Sequence, residues 1–185
     1  MVWILLVAIL AAVAWLISSY NSLISLRNLA INGWKQIDVQ LKRRHDLIPN
    51  LVETVKGAMK FEQNTLTQVI EARNKAIAAQ GVAEKAAQEN VLTGALRQLF
   101  ALVENYPDLK SNQNVGKLQE ELVSTENRIG FARQFYNDIA TKFNTALQVF
   151  PANMIAGMFG FKVAELFEIT DSAERATPKV DLNIK

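Results

Sequence analysis

From Met1 to Ile17 the chain reads MVWILLVAILAAVAWLI without one charged or strongly polar side chain, and the first charge is Arg27. At about 1.5 Å per residue that run covers roughly 25 Å, and Ser18, Ser19 and Tyr20 extend it toward the interfacial layer of a bilayer core about 30 Å thick. Residues 1–20 therefore read as a transmembrane anchor. Trp3 and Tyr20 lie near its ends, where amphipathic rings favour the interface. The rival reading is a cleaved signal peptide with Ala12, Val13 and Ala14 as its small-residue site, but the chain offers no basic n-region for it.

Beyond the anchor no run alternates apolar with polar residues, and spacings of three and four persist, so the expected fold is all-α. The clearest stripe joins Val115, Leu118, Leu122, Thr125, Ile129, Ala132, Tyr136, Ile139, Phe143, Ala146 and Phe150. Buried apolar side chains contribute roughly 1.5 to 3 kcal/mol each, so other helices must cover this seam. Three are expected. The first spans 21–44, with Leu26, Ala30, Trp34, Ile37 and Leu41 on one face. The second is expected to break away at His45, with Asp46 as N-cap and Pro49 in its first turn, and to run to Gln80 before Gly81. The third spans 84–105, through Val91, Leu92, Ala95, Leu99 and Leu102, and ends at Tyr106-Pro107. Ser111, Asn112 and Asn114 offer caps to the fourth.

Short connections make such helices antiparallel, giving an up-and-down four-helix bundle of long helices over residues 21–169, followed by a flexible tail over 170–185. The last helix then delivers its end close to the bilayer. One length conflict follows. A second helix of about 35 residues would be about 52 Å long, against about 36 Å for the first beyond the anchor, so its tip with Lys75, Glu84 and Lys85 would meet hydrocarbon. A divergence of the anchor around Ser18 to Asn21 is expected to relieve this.

Composition narrows the chemistry. Twenty Lys and Arg oppose 18 Asp and Glu, so overall charge gives no support to nucleic-acid binding. The absence of cysteine removes thiolate catalysis, disulfides and Cys-ligated metals, and the single histidine, His45, leaves no Ser-His-Asp triad independent of it. Glu53, Glu62, Glu71, Glu121 and Glu126 raise a carboxylate metal site, but Lys42, not a glutamate, precedes His45 at the Glu-x-x-His spacing. No enzyme, metal or cofactor is expected. Glu62 and Arg73, near the seam, read instead as partners of polar groups on neighbouring helices.

Three strings, WKQIDVQLKRRHDLIPNLV at 34–52, YPDLKSN at 106–112 and FPANMIAGMFGFKVAELFE at 150–168, resemble the bacterial LemA family in sequence and order. The resemblance extends from the anchor to about Leu182. It implies an N-terminal membrane helix and a bundle of long helices, with no reaction attached. It also implies envelope partners, with TPM-domain proteins or HtpX-like membrane proteases as candidates.

Two clusters are candidate sites. Asp38, Arg43, Arg44, His45 and Asp46, with Lys42, form the densest charge, read either as a docking surface or as a solvated helix junction whose charges suit the helix dipoles. The segment 149–169 carries Phe150, Met154, Ile155, Met158, Phe159, Phe161 and Phe167. It reads as a cap over the open end of the core, as an interfacial element, or as a Met- and Phe-rich docking patch. Arg27, Lys35, Lys42, Arg43 and Arg44 all follow the span, which favours an outside N-terminus and a cytoplasmic domain in the cell membrane. The function expected from these features is a non-enzymatic, membrane-anchored adaptor or assembly factor of an envelope complex. The alternative is a structural or membrane-shaping protein that forms homo-oligomers.

Overall fold

The computed structural model describes residues 1–57, 59 and 62–167, so the expected tail at 170–185 and the last two residues of the apolar segment lie outside the described residues. Every regular element among them is a helix: α1 Val2–Lys56, α2 Gln63–Ala78, α3 Gly81–Val103, α4 Pro107–Lys110, α5 Gln113–Gln148 and α6 Ala152–Met158. Among the described residues α1 alone contains a stretch long and apolar enough to cross a membrane, and none of that stretch is buried against the rest of the described structure.

One expected boundary is corrected. The helix does not break at His45; α1 runs unbroken through it, as it does through Ser18 to Asn21. A proline inside a helix leaves the carbonyl four residues earlier without its amide donor, which is normally costly. Here Pro49 would orphan the carbonyl of His45, and Arg73 of α2 donates its Nε–H to that oxygen at 2.7 Å. A neighbouring helix thus supplies the bond that the proline removed. Arg73→Ala is expected to cost about 1.5 to 3 kcal/mol, as for a lost bond to a charged group. Most of that cost should disappear in a Pro49→Ala background, where the restored amide satisfies His45. A denaturation double-mutant cycle checks this, and additive costs would refute it.

The reversal falls instead between Lys56 and Gln63. This placement removes the length conflict. The α2–α3 tip turns at Gly81, with φ of +75°, a conformation that glycine adopts without a Cβ clash. Glu84 steadies the turn by accepting from the Gln80 amide at 3.1 Å. The tip stands level with Asp38, whose Oδ1 meets Lys85 Nζ at 2.6 Å. Asp38 lies about 30 Å along the helix from Ser18, so the charged tip is well clear of the anchor.

Along α1 the buried positions Leu23, Ala30, Ile37, Arg44 and Leu51 recur every seven residues, and Leu41, Ile48 and Val55 form the companion row. On α5 Val115, Leu122, Ile129, Tyr136 and Phe143 repeat likewise, capped at the start by Asn112, whose side chain accepts from the Asn114 amide at 2.9 Å. The two seams meet antiparallel. Far from the anchor, Ile48, Leu51 and Val55 pack with Leu122, Val115 and the apolar faces of α2 and α3. Ile37 and Leu41 then join Ile129 and Tyr136, and Leu23 joins Ile155 and Ala146 beside the anchor. At Gly33 the two backbones come close, since a Cβ there would lie 3.4 Å from the Cα of Tyr136.

Candidate functional site

Where α1 passes α3, its apolar seam is interrupted by two polar residues that point inward. Arg44 is 2% exposed and Glu89 of α3 is likewise 2% exposed. Arg44 donates from Nη1 to Glu126 Oε2 at 2.6 Å, and from Nη2 to Thr93 Oγ1 at 2.8 Å and the Glu89 carbonyl at 3.1 Å. Its Nη2 also lies 3.7 Å from Glu89 Oε2. His45 Nε2 is 2.7 Å from Glu89 Oε1, and the buried Thr125 hydroxyl donates to the Glu121 carbonyl at 2.7 Å. One guanidinium thus serves two carboxylates on two other helices. The geometry locks the register of α1, α3 and α5, because a shift of one helix would strand a charge away from water.

The candidate docking cluster is therefore divided. Arg44 and His45 are interior residues and leave the surface. Asp38, Arg43 and Asp46 are exposed, and each has an ion-pair partner: Lys85, Glu121 and Lys42 respectively. The hydrogen bond from Lys42 holds the Asp46 carboxyl below the usual carboxylate range. Of the other polar candidates, Glu62 accepts from the Tyr106 hydroxyl at 3.4 Å, and Arg73 serves His45 as above. Sequence reasoning passed over Glu89. Its signal was the register 89, 92, 96, 99 and 103 of buried α3 positions, whereas Val91, assigned to the seam, is 56% exposed.

The C-terminal apolar segment divides in another way. Ile155 and Phe167 are buried, while Phe150, Met154, Met158 and Phe159 are exposed. Residues 161–167 run without helix along α5, which holds them with paired side-chain amides. Asn144 donates to the Ala164 carbonyl at 2.8 Å and accepts from its amide at 2.7 Å. Seven residues earlier, Asn137 does the same for Phe167, at 3.1 and 2.8 Å. Tyr136 adds a bond to the Glu165 carbonyl at 2.6 Å. Burial, with a contribution from Glu165, pushes that phenol above its ordinary pKa. Each asparagine thus pairs with the backbone as a neighbouring strand would, so this strap needs no sheet. Phe167 anchors its end, with Trp34 at 5.9 Å and the Arg133 guanidinium 4.4 Å from its ring centroid.

A third feature is an open groove between α1 and α5, about 540 Å³ in volume, lined by Lys35, Val39, Arg128, Phe131 and Phe135 among others. Phe131 is 74% exposed and Val39 63% exposed, well away from the anchor.

Comparison with known proteins adds the following. A profile described as the LemA family matches residues 33–182. The chain is similar to magnetosome protein MamQ 2 of Paramagnetospirillum magneticum, at 25% identity over 87% of this chain and 69% of that protein. MamQ of Magnetospirillum gryphiswaldense is 24% identical over 86% of this chain and 68% of its own length. Protein LemA of Metamycoplasma hominis is 26% identical over 82% and 69% respectively.

Proposed function

Because the chain belongs to the LemA family, we propose that it is a non-enzymatic, membrane-anchored adaptor or assembly factor that presents a helical surface to other proteins of the cell envelope. In this reading α1 beyond the anchor, α2, α3 and α5 act as one up-and-down antiparallel four-helix bundle. The bundle lies on the cytoplasmic side, following the basic residues after the span. The observation that carries the proposal is the distribution of polar and apolar groups. The single histidine, His45, and Glu89 are buried and engaged with each other, and Arg44 beside them is buried on Glu89 and Glu126, while Phe131 and Val39 face solvent across an open groove. The names of two relatives point the same way, since they refer to a cellular structure, the magnetosome, and not to a reaction.

A photocrosslinking residue at position 131 in whole cells tests this, with Lys117, exposed on the same helix, as control. The expected result is one or a few discrete heterologous adducts from position 131 and none from 117. Adducts only with a second copy of the chain would favour the alternative, a self-assembling structural protein. Identical patterns from both positions would remove the groove as a docking surface.

A further inference from the structure

The exposed side of α6 lies beside the foot of the anchor, and its composition is unsuited to water. Phe150 is 79% exposed, Met154 61%, Met158 75% and Phe159 53%. Met154 and Met158 are four residues apart and share a face, opposite Ile155 and Ala156, which pack against Leu23 of α1. The Phe159 ring packs against Tyr20 at a tilt of 53° with centroids 4.7 Å apart, and Tyr20 also meets Phe161 at 5.9 Å.

These contacts fix the depth of the segment. The apolar run ends at Ile17, so Tyr20 stands within about one helical turn of the hydrocarbon edge, and Leu23 about one turn further. The interfacial layer is roughly 5 to 8 Å deep on each side, from the difference between total and hydrocarbon thickness. Tyr20, about 4.5 Å beyond Ile17, therefore falls within that layer, and Leu23, about 9 Å beyond it, at its outer boundary, so what packs on them from the side spans the layer. Arg27 lies about 15 Å along α1 from Ile17, on the aqueous side of that layer, with its guanidinium 5.7 Å from the Phe161 centroid and a side chain long enough to reach back toward lipid phosphates.

We propose that the exposed face of α6, with Phe150 and Phe159, is a second membrane contact. It inserts its aromatic and methionine side chains among the headgroups of the leaflet that α1 leaves. The occupant of this apolar face is lipid, because the face is continuous with the anchor's own entry into the bilayer. A second contact displaced from the axis of α1 on the same helical body constrains the tilt of the domain on the membrane, which a lone helix leaves to its neighbours. The inference rests on the anchor spanning a bilayer, and the test separates the two.

The chain has no cysteine, so single nitroxide labels are unambiguous. Phe150→Cys, Met158→Cys, Leu10→Cys and Glu120→Cys are labelled separately, and the full chain is reconstituted into vesicles of phosphatidylcholine and phosphatidylglycerol. Relaxation by oxygen against a water-soluble nickel chelate then reports depth. The Leu10 label is expected to read deep and the Glu120 label aqueous. Labels at 150 and 158 should show an oxygen-to-nickel ratio several-fold above that at 120 and below that at 10. A deep reading at 10 with aqueous readings at 150 and 158 overturns the seat and leaves the anchor intact. An aqueous reading at 10 overturns both. Labels at 150 and 158 shielded from both reagents would mean that protein covers the face, and would overturn the lipid assignment.

Discussion

Arg44→Ala is expected to destabilise the helical domain by about 3 to 5 kcal/mol, the usual cost of removing one partner from a buried charge network. Arg44 is the cation that Glu89 and Glu126 share, and Glu89 is almost fully buried. Alanine would leave Glu89 with His45 alone and would open a cavity between α1 and α3. The loss should appear in urea denaturation of the detergent-solubilised protein as a lower midpoint of the helical circular-dichroism signal. A cost below about 1 kcal/mol, typical of an exposed pair, would refute the buried network. Replacing Arg44 and Glu89 together by apolar residues of similar volume should recover most of the stability, because it removes both desolvation costs. Register is the property this double variant is then expected to weaken.

Phe167→Ala is expected to remove a similar amount, about 3 to 5 kcal/mol, as for a large aromatic deleted from a core. Its consequence should be local. Beyond Phe161, which packs on Tyr20 and Phe143, the strap is held mainly by side-chain hydrogen bonds, each worth about 0.5 to 1.5 kcal/mol net, so loss of Phe167 favours release of its C-terminal part from α5. Trp34 reports the event, since it packs against Phe167 and Tyr136. In a Trp3→Phe, Trp15→Phe background its emission should shift to the red, and trypsin should cut at Lys162 sooner, while far-ultraviolet dichroism changes little. Asn137→Ala, which removes both bonds to the Phe167 backbone, should produce a weaker form of the same response. Unchanged Trp34 emission and unchanged protection at Lys162 would show that the strap does not depend on its aromatic end.

Much of the fold is legible in spacing alone. The stretch of α1 long and apolar enough to cross a membrane follows from an uninterrupted apolar run, and α5 from a seam whose steps of three and four continue for ten turns. The cap at Asn112 and the turn at Gly81 were readable because each uses a local signal that acts within a few residues. The turn after α1 was misplaced for the same reason. Asp46 and Pro49 form a local start signal, and nothing nearby in sequence reveals that Arg73, 24 residues beyond Pro49, supplies the missing donor.

The candidate sites divide along the same line. Asp38, Arg43 and Asp46 are surface charges, as their spacing allowed, but their neighbours Arg44 and His45 turn inward because α1 continues as one helix, and 44 then falls on the row 23, 30, 37. Likewise Phe150, Met154, Met158 and Phe159 face outward while Ile155 and Phe167 face inward, a division set by what α1 and α5 place against them.

By itself, then, the sequence determined the helical class, the apolar N-terminal stretch and most of the α5 seam, because helical periodicity and hydrophobic length act through near neighbours along the chain. Tertiary structure alone decided where α1 ends, which charges are interior, and that residues 161–167 lie as a strap on two asparagines. Each of those outcomes depends on a donor, a counter-charge or a covering surface supplied by residues distant in sequence, and such a partner exists only once the helices have packed.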